Sequence, residues 1–230
     1  MIKKLLRGSA ALALALTPLA LTPLALPSPA AAAPSAGAAG VLALEDAVGQ
    51  IPVAEESRQG YTRSKFKHWN AGLDADDGCN TRAEVLVAEA VEAPDVAAGC
   101  KLSGGMWTSY YDGQEVDKSG KLAVGHMTPL AEAWDSGASK WTPARREAYA
   151  NDLDAEASLV AVTARTNRQK ADKDPAQWMP PNPDAQCRYI AEWTATKLRW
   201  GLSADQAEAD ALKVFAEACE TTVVHHTPAP

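Results

Sequence analysis

The hydrophobic rhythm of the chain changes several times, and each change marks an element. An apolar stretch from about Ala10 to Leu26 follows the positive start Lys3, Lys4 and Arg7, and it runs into the small-residue cluster Ala30–Ala33. Pro18 and Pro23 break that stretch, which argues against a membrane-spanning helix. The order predicts an export signal and linker over residues 1–36, removed near the alanines. Val41–Val53 suits a short helix. Asn80 or Thr81 is placed to cap a second helix, rich in Ala, Glu, Leu and Val, to about Ala90.

From Lys101 the rhythm becomes that of strands. Met106–Tyr111 is aromatic-rich and ends on Asp112-Gly113, and a turn at Lys118-Ser119-Gly120 leads into Leu122-Ala123-Val124. Pro129 opens a short helix through Trp134 that Gly137 closes, and Thr142-Pro143 starts another through Asn151. Leu159–Thr163 has the length of a buried strand, with a turn or helical start over Asn167–Asp172. In Asp184–Trp200, the residues Cys187, Ile190, Ala191, Thr194 and Leu198 share a helix face. The next helix shows Ser203 and Gln206 in capping-box spacing, with an apolar stripe at Ala207, Ala211, Val214, Phe215 and Ala218. One domain over residues 41–220 and a disordered tail over 221–230 are expected.

Four cysteines fit an oxidising compartment. The simplest pairing is Cys79–Cys100 and Cys187–Cys219, one of three that four cysteines allow. A cysteine zinc site lacks any Cys-x-x-Cys spacing. The net charge is −7; removing Lys3, Lys4 and Arg7 leaves 19 basic against 29 acidic groups, or −10. So acidic a protein does not coat nucleic acid, although a locally basic groove remains compatible with that charge. Arg63, Lys65 and Lys67 alternate as a basic strip that reads as a solvated face. His68 reads as structural, and the tryptophans as core packing.

Two segments carry candidate chemistry. His126 ends the strand that begins at Leu122, and Asn167 lies just past the strand Leu159–Val162. An imidazole that takes a proton from water, paired with an amide oxygen that holds a divalent cation, suits cleavage of a phosphodiester. No Gly-x-Ser-x-Gly or His-Glu-x-x-His pattern points to another hydrolase.

The order strand, histidine, loop, strand, asparagine, helix is shared by ββα-metal nuclease sites. The chain resembles the secreted actinobacterial HNH-type endonucleases of the GmrSD-like group, a branch of the ββα-metal (His-Me finger) nucleases. The resemblance is carried by Tyr61-x-Arg63-x-x-Phe66-x-His68-Trp69, Asp77-Gly78-Cys79-Asn80-Thr81-Arg82 and Trp107-x-Ser109-Tyr110-Tyr111-Asp112. It continues through His126-x-x-Pro129-Leu130-Ala131-Glu132-Ala133-Trp134-x-Ser136-Gly137-Ala138, Ala150-Asn151-Asp152, Asn167-Arg168-x-Lys170 and Asp174-Pro175-x-x-Trp178-x-Pro180-Pro181.

The resemblance implies an α+β fold: a ββα-metal core with added N-terminal strands and helix, and a C-terminal helical hairpin stapled by a disulfide. It implies His126 as general base, Asn167 as ligand of Mg²⁺ (or Mn²⁺ or Ca²⁺), and Arg168, Lys170 and Arg82 as phosphate contacts. The protein would be a secreted monomer that cuts DNA, and RNA as an alternative, with little sequence preference and no membrane attachment after signal removal. The pattern is broken at Gly125, where the family carries an aspartate that binds the metal. Three arrangements remain open: Asn167 as the only protein ligand; a carboxylate from Asp152, Asp172 or Glu84; or a catalytically degenerate nuclease fold that binds without cutting.

Overall fold

The computed structural model describes residues 40–230, so the expected export signal and linker lie outside the described residues. In chain order the elements are β1 (Gly40–Ala43), α1 (Leu44–Val48), α2 (Thr81–Ala88), β2 (Asp95–Ala97), β3 (Lys101–Ser103), β4 (Trp107–Ser109), β5 (Gln114–Val116), β6 (Leu122–His126), α3 (Leu130–Asp135), α4 (Pro143–Ala150), β7 (Leu159–Thr163), α5 (Ala164–Lys170), α6 (Gln186–Trp200), α7 (Gln206–Ala218) and β8 (Val223–His226). The strands form two-stranded antiparallel pairs, β1 with β8, β2 with β3, β4 with β5, and β6 with β7.

The β6–β7 pair is the centre of the fold, with Leu122 opposite Thr163 and His126 opposite Leu159. Both of its faces are covered. Val160 and Val162 join a cluster with Leu44, Ile190, Trp193 and Leu212 from α1, α6 and α7. Leu122, Val124, Leu159 and Ala161 face the other way, onto Val85, Leu86 and Trp107. A strand buried on both sides has no polar face, which is why Leu159–Val162 is an unbroken apolar run. Burial of each such aliphatic side chain stabilises the fold by roughly 1.5–3 kcal/mol. Helix α5 leaves β7 without a loop, and the Thr163 hydroxyl caps it by accepting from the Thr166 amide at 3.3 Å.

Both expected disulfides are present, closing separations of 21 and 32 residues. Each stabilises by about 3 kcal/mol in the chain-entropy account. Cys187–Cys219 ties α6 to the end of α7, and Gly201 ends α6 in the left-handed region at φ 65°. These helices also enclose charge. The fully buried Lys197 ammonium donates to Glu132 Oε1 at 3.0 Å, Glu208 Oε2 at 2.5 Å and Ser136 Oγ at 3.1 Å, which joins α3, α6 and α7.

Three expectations are corrected. The tail is not disordered throughout: Val223–His226 pairs with Gly40–Ala43, and Val224 and His226 turn inward in strand alternation. Val41–Val53 splits into β1 and the short α1, because its first residues are taken up by that pairing. The cap of α7 is Asp205, which accepts from the Glu208 amide at 2.7 Å, while Ser203 donates to Ser136 O at 2.9 Å.

Lys197→Met would leave Glu132 and Glu208 buried without their shared cation. Urea denaturation is expected to show a loss of about 3–5 kcal/mol. A loss under about 1 kcal/mol would mean the buried charges carry no such role.

Candidate functional site

His126 is the last residue of β6 and is 8% exposed. Its Nε2 lies 3.0 Å from the carbonyl of Ala150, the last residue of α4. A carbonyl only accepts, so Nε2 carries the hydrogen and Nδ1 keeps the lone pair. The carbonyl is free for this because the last turn of a helix lacks N–H partners. Trp69 and Tyr149 stack on the imidazole, with centroids 5.6 and 6.1 Å away. Burial pushes the His126 pKa down to about 3; the Ala150 bond opposes this, and the charges of Arg63, His68 and Lys170 reinforce it. The ring is therefore a neutral base at ordinary pH.

Asn167 is half-buried on α5, and its carboxamide has no hydrogen-bond partner among the described residues. Its Oδ1 lies against the Cα of Gly125, where a Cβ would collide with it. The space that the expected aspartate would enter is filled by Asn167. Strand alternation aims position 125 toward α5, and position 126 toward α4 and Trp69. The carboxamide thus meets position 125 and the imidazole belongs to position 126, the last two residues of β6.

The other expected site residues divide. Arg168 is exposed beside Asn167, with no carboxylate within salt-bridge distance among the described residues. Lys170 is 2% exposed, and its Nζ donates to His126 O at 3.3 Å and Met127 O at 2.7 Å. It pins α5 to the end of β6 and does not face a phosphate. Arg82 likewise donates inward, to Leu122 O at 3.1 Å. Asp152 is consumed by Arg199 Nε and Nη2 at 2.7 and 2.8 Å, Trp200 Nε1 at 2.9 Å and Ser158 Oγ at 2.5 Å. Asp172 faces Arg58 at 3.5 Å on the surface, and Glu84 accepts from the Leu73 amide at 2.7 Å. The one cluster of three potential metal-binding acidic or His/Cys groups among the described residues is Glu56, Glu132 and Asp135, which includes none of these three.

Two further contributors lie at the exit of α4. Asn151 accepts from the Asn70 amide at 2.9 Å and the Thr81 hydroxyl at 3.0 Å, and donates to Lys67 O at 2.9 Å. It holds the segment that carries Trp69 against His126. The Ala150 carbonyl is a backbone group with no signature in the sequence. A cavity of about 830 Å³ between α6, β8 and residues 154–158 includes neither His126 nor Asn167 in its lining.

A family model described as the C-terminal domain of GmrSD restriction endonucleases matches residues 97–214, which include both His126 and Asn167. A protein of the fungus Arthroderma benhamiae, described as an uncharacterized secreted protein, is 36% identical over 162 residues, which is 70% of this chain and 77% of that protein. No solved structure matches.

Histidine-selective ¹⁵N NMR is expected to show His126 as the Nε2–H tautomer, still neutral at pH 5. Its unfolded form binds a proton near 6.5 and its folded form near 3, so the fold loses stability as pH falls through that window. A His126 titration near 6.5 would contradict the buried, carbonyl-bound ring.

Proposed function

The chain belongs to the family of the GmrSD restriction endonuclease C-terminal domain, and on that premise we propose that it is an exported, metal-dependent phosphodiesterase. It cuts nucleic acid, DNA first, with His126 as general base and Asn167 as the protein's metal ligand. The observation that carries this reading is the pair at the end of β6: an imidazole with a free Nδ1 lone pair, and an unpartnered carboxamide against Gly125.

The residues present fit a divalent ion through that carboxamide, which lies where a Cβ would otherwise sit. One neutral oxygen is a thin donor set. It suits a hard cation such as Mg²⁺, which keeps several waters and shares phosphate oxygens. Asn167 would hold the ion, and the ion, when bound, would supply charge neutralisation at the phosphoryl and leaving oxygens.

His126 does the proton work. Nδ1 takes the proton of the attacking water, and the Ala150 carbonyl holds Nε2–H and stabilises the imidazolium that forms. Lys170 fixes the strand end that carries the ring. Arg168 is free to reach a phosphate beside Asn167. Export is supported by the two disulfides and by the relative described as secreted. None of the described helices is long and apolar enough to cross a membrane. Gly125 also favours a second reading, a nuclease fold that binds without cutting.

Supercoiled plasmid separates the two readings. Cutting with Mg²⁺ or Mn²⁺ is expected, lost in EDTA and reduced by about 10²–10⁴ in His126→Ala; intact plasmid with every ion would favour the binding module. Gly125→Ala is expected to keep the fold, since an Asn side chain can rotate away, but to weaken both Mn²⁺ binding and cutting about tenfold. Unchanged Mn²⁺ affinity in that variant would remove Asn167 as ligand.

A further inference from the structure

One cation beside the proposed base has no role in the scheme above. Arg63 opens the short 3₁₀ helix Arg63–Lys65 and is exposed. Among the described residues no carboxylate lies within salt-bridge distance of it. Its guanidinium is nevertheless held: Nη2 lies 3.4 Å from Nε2 of His68. The other nitrogen of His68, Nδ1, lies 2.8 Å from the Phe66 carbonyl and must donate to it. Nε2 of His68 is then an acceptor facing Arg63.

The same segment bends over the site. The His68 ring is 6.5 Å from the His126 ring, and Trp69 stacks on His126 with φ at 61°, a left-handed conformation that is costly for a bulky residue. Asn151 pins this segment through Lys67 O and the Asn70 amide. Strain and hydrogen bonds together place Arg63 and His68 beside the imidazole.

We propose that Arg63, oriented by His68, is a phosphate-binding residue of this site and contacts the scissile or adjoining phosphate of the nucleic acid. The proposal rests on the nuclease reading. A protein of net charge −7 needs local cations to hold a polyanion, and Arg63 is one that no acidic side chain neutralises. Its charge also opposes protonation of His126. His68 is a positioning residue that acts through Arg63.

The test is binding of a fluorescein-labelled phosphorothioate DNA duplex by fluorescence anisotropy across a salt series, in a His126→Ala background, with cleavage kinetics in the wild-type background. Arg63→Ala is expected to weaken binding at least tenfold and to flatten the log–log salt slope by about 0.9, one phosphate contact. Arg63→Lys keeps that slope. His68→Ala weakens binding alone and adds little in the Arg63→Ala background, a non-additivity that a separate structural role would not produce. If the wild type cuts DNA and Arg63→Ala leaves affinity, slope and cleavage unchanged, Arg63 is overturned and the nuclease reading stands. If the wild type neither cuts nor binds, both fall.

Discussion

The carbonyl of Ala150, left without an N–H partner at the end of α4, takes the Nε2–H of His126, and the next two residues extend that anchorage. Asn151 gathers Lys67, Asn70 and Thr81 from the N-terminal third. Asp152 gathers Arg199 and Trp200 from α6. Three adjacent residues therefore hold β6, the aromatic loop and the C-terminal helices in one frame. Small errors in the exit of α4 would propagate to all three at once.

The β6–β7 pair supplies the other half of the frame. Because both faces are buried, its register cannot slip without turning apolar side chains the wrong way. α5 is welded to it at both ends, by the Thr163 cap at its start and by Lys170 on the His126 and Met127 carbonyls at its finish. Asn167 sits between those two attachments. Gly125 completes the fit by presenting no side chain where the carboxamide lies. The absence of a side chain at position 125 and the inward lie of Asn167 are two aspects of one packing arrangement.

Much of this was legible in the residues. Strand β7 follows from an apolar run too short for a helix, α2 from Asn80 in capping position, and both disulfides from the order of the cysteines. The position of His126 at the end of β6 and of Asn167 in the helix after β7 follows from the strand–strand–helix order. What escaped was set by partners distant in sequence. Lys170 looks like a phosphate ligand until two carbonyls over forty positions earlier claim it. Asp152 looks like a metal ligand until Arg199 and Trp200 arrive from α6. The final strand escaped because the short run Val-Val-His-His between threonines carries no pairing information without β1. Arg63 escaped because an alternating basic strip is usually only solvated.

The pairing of β1 with β8 has a consequence for how the molecule comes into being. These strands stand near opposite ends of the described chain, with Gly40 opposite His226. In a polypeptide made N-terminus first, β1 is present early and waits for β8 until nearly all the rest of the described chain has followed. Closure of such a distant pair is slow by nature. The two strands can therefore pair only once the whole of the described chain between them has been made, which makes their sheet a clasp across that chain.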